Sequence, residues 1–426
     1  MTGRQDEGSE RRVTTLELFF DLVFVFTITQ LTVLLAHDLS LAQVGRTLVI
    51  FAVLFWMYGA YAYLTNQVPP ETTGRRVPLL LGMCGFMTCA LALPGVFGDN
   101  GVAFGLGFLL VVLVHSALYA LLHGRNVLSF ALTNILAALC VTAAGVVDDS
   151  LAADGLWVAA LLLQTVTPVL ASRVRVGAAQ TPVTERVGEL DPAHFVERHG
   201  LLLLIVFGES VIAIGAGVGD ATLDWGTFGG IALALALAAA LWWSYFLHDE
   251  AAAEAALRRV SGLPRFRLTM RAYYYSFIPM LVGVAVLAAG VKLSIGHLPQ
   301  HLPTAVAVAV AGGVSLYLSG SVCFRVSLGL RPLLLRSAAA ALAWAAVPAG
   351  TRVSALAEFL GLVLLLTAML RAESGRSRAR AAGGRPEPGR LAQGPAAAGA
   401  RRGRMRATDE VLAADAERGQ QQRSGD

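Results

Sequence analysis

The chain has 426 residues, 56% hydrophobic and only 15% charged, with a formal net charge of +4. A soluble domain carries roughly 25% charged residues, so a single water-soluble core is excluded as a home for this much apolar length. Mean hydropathy is +0.63, and runs of about 20 apolar residues recur from one end to the other, the pattern of transmembrane helices.

Residues 1–15 are polar, with Arg4, Arg11 and Arg12, and are expected to form a short cytoplasmic tail. Twelve candidate spans follow, near 16–37, 44–64, 78–97, 102–122, 127–147, 156–171, 199–218, 226–247, 273–292, 303–323, 332–349 and 354–371. The expected fold is an all-α polytopic membrane helix bundle of about twelve helices over residues 16–371. The first apolar run is too long for a signal-peptide core and has no small-residue cleavage site behind it, so it is expected to stay as an anchor. The sixth run holds Gln164, Thr165, Thr167 and Pro168, which predict a kinked or broken helix. Residues 172–198 and 248–272 read as long internal loops.

Charge gives the orientation. With the N-terminus inside and the spans alternating, Arg46, Lys292 and Arg352 fall at outer ends and 30 of the 33 Lys and Arg fall inside. Without the twelve Arg from Arg371 onward the bias is still 18 to 3. Both termini are therefore expected in the cytoplasm. The outer loops carry Asp38, Asp99, Asp148, Asp149, Asp154, Asp220 and Asp224 instead.

The internal loops are basic, with Arg258, Arg259, Arg265, Arg267 and Arg271 in the second, and are expected to meet anionic lipid headgroups. Residues 372–426 are rich in Arg, Ala and Gly and read as a disordered cytoplasmic tail, with a short helix conceivable over Thr408–Arg418. The tail's Arg cluster, Arg376 to Arg406, is expected to lean on the inner leaflet. No aromatic-interleaved basic domain stands outside the membrane, so nucleic acid is not an expected partner. Cys84, Cys89, Cys140 and Cys323 all lie in apolar runs and read as core-filling thiols without a disulfide framework.

A shift of 180 residues places Glu17 on Glu197, and Thr29-Gln30 on Glu209-Ser210. The second span of each half ends in aromatics, Trp56 and Tyr58 in one, Trp242, Trp243 and Tyr245 in the other. Two parallel six-helix repeats, 16–176 and 192–371, are one arrangement this allows, and substrate sites in such folds lie at the repeat interface.

Ionisable groups inside a bilayer are costly and form the default functional hypothesis. Glu17 and Asp21 are spaced i, i+4 and share a helical face. They read either as a cation or proton site at an inner mouth, or as partners of an arginine such as Arg198. Glu209 lies 12 residues beyond Glu197, about 18 Å along a helix and so near the bilayer centre. It reads either as a proton carrier or as a hydrogen-bonded packing acid. Gln30, His115, Asn134, Gln164 and Glu358 also fall at membrane depth, and Arg352 and Glu358 are placed to pair. His194, Glu197 and His199, and the run His248-Asp249-Glu250, match no zinc spacing, so no metal or other cofactor is expected. Phosphate-binding loops, nucleophile elbows and dinucleotide fingerprints are absent from the sequence, and enzymatic activity is not expected.

LELFFDLVFVFTITQLT near the start and HFVERHGLLLLIVFGESVIAIG in the middle resemble the bacterial low temperature requirement A proteins, over roughly residues 14–371. The resemblance implies a multi-pass bacterial inner-membrane protein linked to growth in the cold. It points to Glu17, Phe20, Asp21, Glu197, Arg198, Gly208 and Glu209, and implies an aromatic where His199 stands. Phe19-Phe20-Asp21 in a first span is also similar, in topology alone, to the FSD-motif potassium channels. Taken together, the expected activity is a proton- or cation-coupled transporter or permease for an unidentified small molecule or ion. A non-transporting scaffold or sensor in cold adaptation is the alternative.

Overall fold

The computed structural model describes residues 12–123, 128–147, 150–175, 190–219 and 224–383. Among them all regular structure is helical. The first helix, α1 (Thr15–His37), opens with a capping box: Thr14 Oγ1 accepts from Glu17 N at 3.3 Å and Glu17 accepts from Thr14 N at 3.0 Å. Ser40 caps α2 (Leu41–Gln67). The helices α3 (Thr73–Ala92), α4 (Gly101–His123), α5 (Leu128–Ala144) and α6 (Ser150–Arg175) follow. Asp191 caps α7 (Pro192–Val218), with Pro192 at its first turn, and Asp224 caps α8 (Trp225–Phe246). Such caps matter here because lipid offers no partner to the free N–H groups of a helix start.

The second predicted internal loop is mostly helix: α9 (Asp249–Arg258), α10 (Gly262–Thr269) and a π-helical turn, Met270–Tyr275, that leads into α11 (Phe277–Ser294). The alanine-rich run 251–256 is a strong helix former and outweighs its lack of apolar length. After α12 (Thr304–Ser327) the eleventh predicted span is broken into α13 (Leu334–Ala343), a 3₁₀ turn at Trp344–Ala346 and α14 (Val347–Arg352). Pro348, which has no N–H to donate, sits in the first turn of α14. The last helix, α15 (Ala355–Gly383), runs beyond the predicted start of a disordered tail at residue 372. Its Ala, Arg and Glu residues explain the extension. The expected helix at 408–418 lies outside the described residues. Of the kinked or broken helix expected in the sixth span, the break is not seen, since α6 is continuous through Pro168.

Among the described residues nine helical segments are long and apolar enough to cross a membrane. Two shorter apolar helices, Phe130–Ala144 and Ser150–Val166, occupy the predicted fifth and sixth spans. The packing order of the first half recurs in the second. In the first, α1 packs on α2 and α3, α3 on α4, α4 on α5, and α2 on α4. In the second, α7 packs on α8 and α11, α11 on α12, α12 on α13, and α8 on α12. Helices α1 and α7 join the two sets.

Two hairpins, α3–α4 and α11–α12, show matching close approaches. A Cβ on Gly85 of α3 would meet Gly107 O of α4 at 2.9 Å, and one on Gly283 of α11 would meet Gly313 O of α12 at 2.9 Å. Only glycine lets backbones come this near, which replaces the hydrophobic drive that is missing between helices in lipid. A tyrosine ties the flanking helix in each set. Tyr61 Oη donates to Val111 O, and Tyr317 Oη to Leu241 O, both at 3.0 Å. Of the cysteines, Cys89 is buried, while Cys84 and Cys323 are exposed on helix surfaces rather than core-filling.

Candidate functional site

The starts of α1 and α7 lie side by side, and this brings Glu17, Asp21 and Arg198 together. Arg198 Nη2 contacts Asp21 Oδ1 at 2.9 Å, and Nη1 contacts Glu17 Oε1 at 3.2 Å. Nη1 also donates to Thr65 Oγ1 of α2. Tyr58 Oη donates to Asp21 Oδ1 at 2.9 Å. The guanidinium is buried, as are both carboxylates, so each charge is compensated by its partners rather than by water. The i, i+4 spacing makes the fork work, because one guanidinium can reach two carboxylates on one helical face.

The network continues outward through His194. Asp191 N donates to Asn66 Oδ1 at 2.9 Å, and a backbone N–H can only donate, so the Asn66 amide orientation is fixed. Asn66 Nδ2 then faces His194 Nδ1 at 3.0 Å, which makes Nδ1 the acceptor. The ring proton is on Nε2, which donates to Glu17 Oε2 at 3.2 Å. With neutral His194 the group holds two acids and one base, a local charge of −1. The N-termini of α1 and α7, each with a partial positive charge, face the same region.

Glu209 stands elsewhere along the same two helices. Thr29 Oγ1 donates to Glu209 Oε2 at 2.7 Å, across the 180-residue offset of the apparent repeat. The carboxyl is 3% exposed. Among the described residues it has no ion pair, and the one charge that acts on it is Lys292 near the end of α11. The near-end acids are clamped and the mid-membrane acid is not.

Glu197 does not join the cluster. It is half-buried, forms no ion pair with Arg198, and lies near the like charge of Glu250 on α9. His199 is buried with its ring 4.1 Å from Phe195 and 4.9 Å from Tyr273, and it fills the aromatic slot that the family pattern implies. Gln164 Nε2 donates to Asn134 Oδ1 at 3.4 Å, an interhelical tie between α6 and α5. Arg352 is exposed and makes no pair with Glu358, whose two oxygens have no hydrogen-bond partner among the described residues.

A second buried ion cluster was not expected from the sequence. Asp249 Oδ1 contacts Arg325 Nη1 of α12 at 3.2 Å, and Oδ2 contacts Arg336 Nη1 of α13. Arg336 also donates to Ser321 Oγ and, at 2.7 Å, to Ser244 O. Both oxygens of Asp249 are engaged by arginine, so the run His248-Asp249-Glu250 anchors helices. Among the described residues no three His, Cys, Asp or Glu side chains are grouped to hold a metal ion. Arg265, expected at lipid headgroups, is turned inward instead and donates to the carbonyls of Leu257, Val260 and Leu190.

Tyr58, Thr65, Asn66 and Thr29 were missed by sequence reasoning. Their polar atoms lie in runs whose composition reads as packing, and only Asn66, at the end of α2, stands out as a residue that needs partners.

An uncharacterized protein of Rhizobium meliloti (strain 1021) is 26% identical over 325 residues, which cover 75% of this chain and 78% of that protein. No solved structure matches the chain. The family model for the bacterial low temperature requirement A protein matches residues 12–371. That match takes in both ends of the Arg198 fork and Glu209, and the chain belongs to the bacterial low temperature requirement A family.

Proposed function

We propose that this protein is a proton-coupled carrier of the bacterial plasma membrane, built of two parallel six-helix halves with both termini in the cytoplasm, and that Glu209 carries the proton. The observation that supports the reading is the contrast between Glu209, which among the described residues is held by the hydroxyl of Thr29 alone, and the acids clamped by Arg198. A group that loads and unloads a proton must be able to exist without its charge, and an acid clamped by a guanidinium strongly resists losing it. Glu209 also lies at the contact of α1 and α7, where the two halves meet. Glu17, Asp21 and Arg198 serve in this reading as the fixed joint that holds those helices in register. Exposed Arg259, Arg267 and Arg271 are assigned to anionic headgroups.

The test is proton flux in vesicles loaded with a pH-sensitive dye, under an imposed pH difference. Wild-type protein is expected to dissipate the gradient. Glu209→Gln, which keeps the shape and the Thr29 contact, is expected to slow it by roughly a hundredfold, the scale of a lost proton-transfer group. Wild-type flux from a folded Glu209→Gln protein would overturn the assignment. The closed Asp21–Arg198 pair favours a second reading, a non-transporting scaffold or sensor in cold adaptation. It takes over if wild-type protein passes no protons.

A further inference from the structure

Glu358 is a buried acid outside the Arg198 fork, the Glu209 site and the Asp249 cluster. Glu358 lies in the first turn of α15 and is 0% exposed. Its helix start is pinned to the 297–303 loop: Ala355 N donates to Gln300 O at 2.9 Å and Leu356 N to Leu298 O at 3.0 Å. In turn Leu302 N donates to Gly350 O at 3.0 Å. This is the end of the bundle opposite Glu17 and Arg198. The last turn of α7 reaches it, since a Cβ on Gly217 would meet Lys292 O at 2.6 Å. Glu17, Glu209 and Glu358 thus stand at three depths: near end, middle and far end.

The surroundings of Glu358 decide what it can hold. A Cβ on Gly350 would lie 2.9 Å from Glu358 Cδ and 3.3 Å from Ala307 Cβ, so the carboxyl fills the space that this glycine leaves. The charged or titratable groups on the elements packed there are Arg352 on α14, His297 and His301 in the loop, and Lys292 at the end of α11. Arg352, His297 and His301 are exposed, and none of the four pairs with Glu358. The part of α12 beside it, around Ala307, carries no titratable side chain. A bare carboxylate without a single donor is far costlier to bury than a neutral acid. A metal ion would require several oxygen ligands, and a glycine and an alanine methyl supply none. A proton needs no further ligand and no extra room.

We propose that Glu358 is a second proton-binding acid of this protein, neutral at rest, which exchanges its proton with the aqueous phase beside the 297–303 loop. This assignment does not depend on Glu209 or on transport. It gives the far end of the bundle its own titrating group.

The experiment is a pH titration of the full-length protein in lipid nanodiscs by infrared difference spectroscopy. A protonated-carboxyl carbonyl band is expected at neutral pH. It should shift in heavy water, vanish as the medium is made alkaline, and be insensitive to replacement of sodium by potassium. Glu358→Gln should abolish that band and Glu209→Gln should leave it in place, which separates this site from the one proposed above. If Glu358→Gln does not fold, Gly350→Ala supplies the same discrimination, because its methyl presses on the carboxyl and must move the band. No band at neutral pH, or a band that responds to the cation, would overturn the proton assignment. A band that stays constant over the full range in which the protein is folded would make Glu358 a permanent packing acid and overturn the exchange.

Discussion

Arg198 is the joint on which α1 and α7 turn, and its removal is the sharpest test of the fold. Arg198→Met keeps the length and apolar volume of the side chain but leaves Glu17 and Asp21 buried one turn apart with no cation. Breaking a buried ion pair from one side costs about 3–5 kcal/mol, a large share of a total stability of about 5–15 kcal/mol. Arg198→Lys should recover only part of this, since a single ammonium cannot reach Glu17, Asp21 and Thr65 together as the fork does. The decisive measurement is a double-mutant cycle. Asp21→Asn removes one charge and keeps an acceptor for Tyr58 Oη. In the Asp21→Asn/Arg198→Met protein one of the two stranded anions is gone, so the combined loss should fall short of the sum of the single losses by about 1–3 kcal/mol. Chemical unfolding of the purified variants in lipid nanodiscs gives the four free energies. Additivity within about 0.5 kcal/mol would mean that Arg198 and Asp21 do not interact, and the joint would have to be abandoned.

Two further outcomes follow from the second half of the chain. Asp249→Ala strands Arg325 and Arg336 against each other and should cost about 3–5 kcal/mol in the same unfolding assay, with wild-type stability as the contrary result. Gly313→Ala places a Cβ 2.5 Å from Leu287 N and 2.8 Å from Gly283 O, so it should pry the α11–α12 hairpin apart at about 1–3 kcal/mol. Helix propensity alone would give a gain of up to about 1 kcal/mol for that substitution, so the sign of the measured change decides whether the close approach is real.

Several parts of this arrangement were legible in the sequence for reasons that generalise. Apolar length set the fold class, because a residue run near 20 with almost no charge has few other uses. The i, i+4 spacing of Glu17 and Asp21 put both on one helical face, and Arg198 was an arginine that could pair with them there. The Asp249 cluster was not legible. Its arginines are 76 and 87 residues away, and nothing in local periodicity reports a contact that only the packing of α9, α12 and α13 creates. The helices after α8 were hidden for another reason. Asp249 to Thr269 is too polar for a span, and Pro264 and Gly262 read as loop punctuation, yet the alanine run between the acids is an ordinary helix former. In the eleventh run apolar composition pointed one way and Pro348 the other, and the proline prevailed locally.

The two buried ion clusters can be set against each other. Glu17 and Asp21 share one guanidinium, that of Arg198, while Asp249 is shared by two, those of Arg325 and Arg336. Between them stand His199, Tyr273, Phe277, Phe324 and Tyr245, each ring within 6 Å of the next. In neither cluster can a carboxylate be neutralised without taking an anion from a buried arginine, which is costly. Charge at this end is therefore fixed in place, and it ties α1 to α7 in one cluster and α9 to α12 and α13 in the other. The acids that can change charge at tolerable cost are those without a guanidinium. Under the carrier reading this divides the labour by depth: arginine-locked joints at the near end, and a proton on Glu209 in the middle and on Glu358 beyond it. The same division explains why one glutamine substitution, at Glu209, should silence flux without unfolding the protein, whereas neutralising Arg198 should destabilise the fold itself.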